Sequence, residues 1–234
     1  MIKRKPIIGI IAKYIEDTQD RQEALIRHEV KNAVIYNGGI PIGILPTETN
    51  LTFKPDDGKD SWPEILTDEQ KADLITQIKL CDGIILPGGK STLKYESWVA
   101  KYCFDNDIPT LGICGGQNAA VRGVGGTTKK VENPEKHHQK WADEVHDLFV
   151  KKGTKFHDIV KCDKMRVNSR HKRTIDNPTE NYIVSAVCDD GYYDVIEAPN
   201  KKFNIALRFH PESLYLTHKE HNEIFKAFIN ACMN

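Results

Sequence analysis

Leu111-Gly112-Ile113-Cys114-Gly115-Gly116-Gln117-Asn118 is the stretch on which the fold of this chain turns. An apolar run ends on a cysteine, two glycines follow, and Ala119, Ala120 and Val121 then continue with helical character. A strand that turns sharply into a helix forces unusual backbone angles on the residue at the corner and needs small neighbours. A thiol at such a corner sits at a helix N-terminus, where the partial positive charge favours thiolate. Backbone N–H groups at the same place can receive an oxyanion. This is the pattern of a nucleophile elbow, with Cys114 in the position that serine holds in the hydrolase version.

Outward from the elbow, short apolar runs alternate with longer amphipathic ones. Residues 6–12, 40–45, 82–86 and 108–113 read as strands. Residues 23–36, 67–80 and 93–104 read as helices, the second opened by a Thr67–Gln70 capping box. Residues 47–62 are polar, hold one proline, Pro55, and read as a loop. The βαβα order implies a three-layer α/β fold with a mostly parallel central sheet flanked by helices. Right-handed crossovers then bring the carboxyl ends of the strands to one edge, where such folds bind ligands. Pro87-Gly88-Gly89 and Cys114-Gly115-Gly116 both lie on that edge. From residue 156 the pattern becomes β-rich, with strands expected at 158–161, 182–188, 193–198 and 204–209 and a last helix at 218–231. No internal repeat or low-complexity linker interrupts it, so residues 1–234 read as a single domain.

Composition narrows the function classes. Lys and Arg total 33, as do Asp and Glu, so the formal charge is zero and neither nucleic acid nor a membrane surface is an expected partner. No apolar run approaches the roughly 20 residues of a membrane helix. The six cysteines form no Cys-x-x-Cys pair, as expected of reduced thiols in a cytoplasmic protein.

Cys114 needs a partner to be more than a buried thiol. Arg208-Phe209-His210-Pro211-Glu212, 96 residues after the elbow counted to His210, supplies one. His210 at a strand end can act as general base, and Glu212 can orient its ring and stabilise its protonated form. The other five cysteines have no such setting and read as structural.

With these residues in hand, the chain resembles the class I glutamine amidotransferase superfamily, and more narrowly its γ-glutamyl-γ-aminobutyrate hydrolase (γ-glutamyl hydrolase) branch. The likeness runs from Pro6-Ile7-Ile8-Gly9-Ile10 through Gly38-Gly39-Ile40-Pro41 and Asp82 to Gly89. It continues through Pro109 to Cys114, Gly125-Gly126-Thr127, Val167-Asn168-Ser169-Arg170-His171 and Phe209-His210-Pro211-Glu212. The Val-Asn-Ser-x-His segment points to this branch. The resemblance implies the flavodoxin-like fold of that superfamily. It also implies attack of Cys114 on the γ-carbonyl of glutamine or a γ-glutamyl amine, a thioester, and proton transfer by His210. The oxyanion would be held by the backbone N–H groups of Gly89 and Gly115. Gly88, Asn118, Asn168, Ser169 and His171 would line the site of a small γ-glutamyl substrate. A separate synthetase partner and a homodimer both stay open. The family pattern has Arg directly after the nucleophile and Gln four positions after it; here Gly115 and Asn118 hold those places, with Gln117 one step early.

His137, His138 and His146 match no compact zinc spacing, so no metal and no cofactor are expected. His146 is instead a candidate to line the pocket. Arg170, Lys172 and Arg173 suit either a substrate carboxylate or water. Trp62, Trp98 and Trp141 read as core or lid packing.

Overall fold

The structure, a computed structural model, describes residues 4–16, 22–48, 66–89, 93–139 and 144–233. β1 (Ile7–Ile11) is followed by the antiparallel pair β2 (Lys13–Glu16) and β3 (Gln22–Leu25). α1 (His28–Tyr36), β4 (Ile40–Ile44), α2 (Asp68–Ile78), β5 (Gly83–Leu86), α3 (Lys94–Asp105), β6 (Thr110–Ile113) and α4 (Gly115–Gly123) then alternate. β7 (Thr127–Lys130), α5 (Pro134–His137), β8 (His146–Val150), α6 (Lys155–Val160) and β9 (Lys164–Val167) come next. β10 (Arg173–Asn177), β11 (Ile183–Cys188), β12 (Tyr193–Glu197) and β13 (Asn204–Leu207) precede a 3-10 turn at Pro211–Ser213 and the closing helix α7 (Lys219–Ala231).

Nine strands form the central sheet in the order β4-β1-β5-β6-β13-β12-β11-β8-β9. The first five are mutually parallel, and from β13 outward every pairing is antiparallel. The expected three-layer α/β architecture with a β-rich second half is the one observed. Period-2 alternation explains how a sheet this apolar serves two layers. Ile84 and Leu86 of β5 pack with α2, α3 and α4 on one face, while Ile85 packs with α1, α6 and α7 on the other. Gly112 of β6 faces α4, and a Cβ there would come within 3.1 Å of the Gly116 carbonyl. The absence of a side chain lets α4 lie directly on the sheet.

Two expected elements are corrected. Residues 23–36 were expected as one helix, yet residues 22–25 pair in β3 with β2, Lys13 opposite Leu25, and Arg27 is the extended cap of α1. Residues 158–161 were expected as a strand but belong to α6 and its cap. Thr154 Oγ1 accepts the N–H of His157, and the buried Glu197 carboxylate accepts those of Lys155 and Phe156. These bonds satisfy three of the N–H groups that a helix start leaves orphaned. The Thr67–Gln70 capping box is present. Within the 47–62 loop, residues 49–62 lie outside the described residues, as do Lys90, Ser91, Thr92, Trp62 and Trp141. Trp98, half-buried on α3, stacks on Tyr102 at 5.6 Å.

Candidate active site

Three neighbouring parallel strands, β5, β6 and β13, end at the same edge, and each is followed by one part of the site. Register places Ile113 opposite Leu207 and Gly112 opposite Leu86. Cys114, one residue past β6, donates its N–H to the Leu207 carbonyl at 2.7 Å. It caps α4 with φ 50° and ψ −102°, in the region that residues with a Cβ seldom enter. Gly116 makes this turn feasible, since a Cβ there would overlap the Leu86 carbonyl. The elbow read from the sequence is therefore a strained strand-to-helix corner.

His210 follows β13 through Arg208 and Phe209, and Pro211 starts the 3-10 turn that returns Glu212 to its ring. His210 Nδ1 lies 2.7 Å from Glu212 Oε1, and both side chains are buried. The ring and the thiol flank Gly88. A Cβ on that glycine would lie 2.8 Å from His210 Cε1 and 3.1 Å from Cys114 Cβ. His210 Nε2 is buried without a hydrogen bond among the described residues. Such contacts are often loose in the absence of substrate.

The electrostatics separate Cys114 from every other cysteine. Burial raises its pKa, but the His210 charge and hydrogen-bonding capacity, helped by Arg208, outweigh burial and bring the thiol below its ordinary value. Burial lowers the pKa of His210, yet Glu212 and Cys114 push it up to about 10. The pair favours thiolate and imidazolium. Burial pushes Cys81 up to about 11 and Cys103, Cys188 and Cys232 up to about 12, and raises Cys162 as well.

Gly88 and Gly89, after β5, face the elbow across the cleft. A Cβ on Gly115 would lie 3.3 Å from the Gly89 nitrogen. The two N–H-bearing residues expected to hold an oxyanion are thus adjacent, and Gly115 is the first residue of α4, whose N–H has no intrahelical acceptor.

The remaining candidates are placed as supports. Asn168 is fully buried, and its amide brackets the His210 backbone: Nδ2 donates to the His210 carbonyl at 2.8 Å and Oδ1 accepts its N–H at 2.7 Å. Ser169 Oγ donates to the His137 carbonyl, which also receives the N–H of His171. His171 is buried, and burial together with the Arg208 charge holds its pKa well below the usual imidazole value. Asn118 Oδ1 accepts from Arg208 at 3.0 Å. Gln117 directs Nε2 at the carbonyls of Tyr193, Asp194 and Ala206, tying α4 to β12 and β13. Arg173 donates to the Thr128 carbonyl at 2.8 Å.

Three contributors were not singled out from the sequence. Arg208 is fully buried and donates to the Cys114 carbonyl at 3.2 Å, so it holds the elbow from below. Its place beside His210 in the Arg-Phe-His-Pro-Glu run was the available signal. Lys13 and Glu96 form a buried ion pair, and the Lys13 stem packs so closely on Gly89 that a Cβ there would overlap it. Lys13 and Glu96 are far apart in the chain, and nothing in the local pattern joins them.

The Peptidase C26 family signature matches residues 93–212, just over half of the chain. Over 98% of this chain, the sequence is 27% identical to a CTP synthase of Lactobacillus johnsonii, covering 45% of that protein. A glutamine amidotransferase-like protein of Rickettsia prowazekii is 25% identical over 98% of this chain and 99% of its own length. The chain spans less than half the length of the CTP synthases it matches. Among solved structures, the glutaminase domain of Trypanosoma brucei CTPS with bound acivicin superposes with a TM-score of 0.66, over 97% of this chain and 93% of that one, at 17% identity. The fold is that of class I glutamine amidotransferases, and the chain belongs to the Peptidase C26 family.

Proposed function

We propose that this protein is a cysteine hydrolase that cleaves the γ-glutamyl amide bond of glutamine or of γ-glutamyl amines. The observation that carries this reading is the Cys114–His210 pair at the elbow, with a depressed thiol, a raised imidazole and Glu212 at 2.7 Å behind it. The Cys114 thiolate attacks the γ-carbonyl carbon, and the N–H groups of Gly89 and Gly115 receive the oxyanion. The His210 imidazolium gives its proton to the leaving nitrogen as the C–N bond breaks and the thioester forms. His210 then takes a proton from water, which attacks the thioester and returns the thiolate and glutamate. Asn168 acts here as a positioning residue, because its amide fixes the backbone of His210.

A second reading is supported by the CTP synthase relatives and by the T. brucei glutaminase domain. In it the same chemistry on glutamine supplies ammonia to a synthetase partner. Either reading suits one domain acting in the cytoplasm on a small molecule. The test offers purified protein glutamine and a panel of γ-glutamyl amines, with Cys114→Ala as control. Turnover of γ-glutamyl amines without a partner supports stand-alone hydrolysis. Turnover of glutamine alone, dependent on an added synthetase, supports the second reading. No turnover, together with no labelling of Cys114 by a glutamine-like electrophile, would sink both.

A further inference from the structure

His137 closes α5, His146 opens β8, and His171 lies between β9 and β10, so three separate segments bring these rings together. All three are buried. Ring centroids of His137 and His171 are 5.0 Å apart, and those of His137 and His146 are 5.3 Å apart. Each ring has one nitrogen engaged by an acceptor. His137 Nε2 faces Asp190 Oδ2 at 3.3 Å, His146 Nδ1 faces the Asp147 carbonyl at 3.3 Å, and His171 Nδ1 faces the Arg173 carbonyl at 2.9 Å. A carbonyl or carboxylate oxygen only accepts, so the engaged nitrogen carries a proton, and in the neutral ring the opposite one presents a lone pair.

Those opposite nitrogens, His137 Nδ1, His146 Nε2 and His171 Nε2, are buried without a hydrogen bond among the described residues. One ligand atom from each of the three rings lies within 4.8 Å of the others. Buried acceptors left without a donor carry a desolvation cost of about 1–3 kcal/mol each. A single water has only two protons to give, whereas a cation serves all three. The engaged nitrogens reproduce the outer hydrogen bonds that orient metal-bound imidazoles.

We infer that His137, His146 and His171 form a buried site for a divalent transition-metal ion of the zinc class. Asp194 is fully buried, its Oδ2 is 3.5 Å from His146 Nε2, and neither carboxylate oxygen has a hydrogen bond among the described residues. Asp190 lies beside His137, while burial raises the pKa of Asp194 beside His146, opposed by the His146, Arg208 and His137 charges. Imidazole nitrogen donors suit zinc better than calcium or magnesium. A cleft of about 440 Å³ lined by His137, His146 and Asp190 gives an ion its route in. His138, grouped with these rings by sequence, faces the Arg170 carbonyl instead. His171 comes from 25 residues beyond His146, which is why no compact zinc spacing marks the set. The ion would clamp the 168–171 segment, whose Asn168 holds His210, so its role is to position that segment.

The experiment uses Cys114→Ala protein, which removes the reactive thiolate as a competing ligand. Cobalt(II) titration followed in the visible, with zinc competition, should give one equivalent and the absorption of a tetrahedral nitrogen–oxygen site. His146→Gln should abolish saturable binding, and Asp190→Ala should weaken it roughly 10–100-fold through loss of an outer hydrogen bond. Zinc should also raise the melting temperature of the Cys114→Ala protein but not that of the same protein carrying His146→Gln. Absence of a saturating cobalt spectrum in folded Cys114→Ala protein overturns the site. Unchanged affinity in His146→Gln does the same, and so does unchanged affinity in Asp190→Ala, which decides the matter if His146→Gln does not fold. A thiolate-to-cobalt charge-transfer band would overturn the three-histidine set in favour of the group of His146, Cys188 and Asp194, whose ligand atoms also lie within 4.8 Å of one another.

Discussion

Cys114 stands at φ 50° and ψ −102°, and the strain of that corner is separable from the chemistry of its sulfur. A residue held in such a region costs of order 1–3 kcal/mol, while a glycine adds roughly 0.4–1 kcal/mol of unfolded-chain entropy. Cys114→Gly should therefore be about 1 kcal/mol more stable than Cys114→Ala in urea melts, with neither variant active. A Cys114→Ala protein more stable than Cys114→Gly by about 0.4–1 kcal/mol would mean that the corner is unstrained. The charge on the pair makes a second prediction. The thiolate–imidazolium form proposed to act on substrate is lost at high pH as His210 deprotonates near 10, a pKa that Glu212 raises. Glu212→Gln removes that charge, so the alkaline limb of kcat/KM should move to lower pH. An alkaline limb that stays in place would separate Glu212 from the titration of His210.

At the scale of elements, the contact of α4 with the sheet sets how much room the elbow has. A Cβ on Gly116 would overlap backbone of β5, which cannot give way like the end of a side chain. On Gly115 the nearest atom is the Gly89 nitrogen at 3.3 Å, which needs a shift of only a few tenths of an ångström. Gly116→Ala should cost about 1–3 kcal/mol or more as overpacking, whereas Gly115→Ala should fold nearly as the parent does. Thermal melts of the two variants check this, and comparable losses would contradict it. The same elements show where local pattern misleads. Leu25 and Ile26 continue the apolar spacing of α1, but β2 claims residues 22–25 as its partner. Ile159 and Val160 read as strand formers, but Thr154 and the distant Glu197 cap a helix there. Long-range partners outweighed propensity in both cases.

For the whole molecule, closing α7 onto the sheet buries His221 against Phe209, the residue beside His210. Burial lowers the His221 pKa from the ordinary 6.5 to about 4, so the folded ring stays neutral while the unfolded one gains a proton. Its folded pKa is depressed, so stability should fall as pH drops through the window from about 6.5 to about 4. The full loss is roughly 3 kcal/mol. His221→Gln should flatten that part of the pH–stability curve in urea melts. An unchanged slope would assign acid sensitivity elsewhere.

The sequence by itself determined the layer order, the elbow and the residue types of the Cys114, His210 and Glu212 set. Each is carried by local periodicity or by short runs whose neighbours fix the geometry. Only the tertiary structure decided that β13 lies beside β6, which brings His210 to Cys114 across 96 residues. It alone placed Asn168 behind His210, Arg208 beneath the elbow and His171 beside His137 and His146. These neighbours come from separated segments, and their meeting depends on sheet order and loop return, which leave no mark on the spacing of any single stretch. The elbow could be read because strand, turn and helix are contiguous; the groups that support it could not, because packing alone joins them.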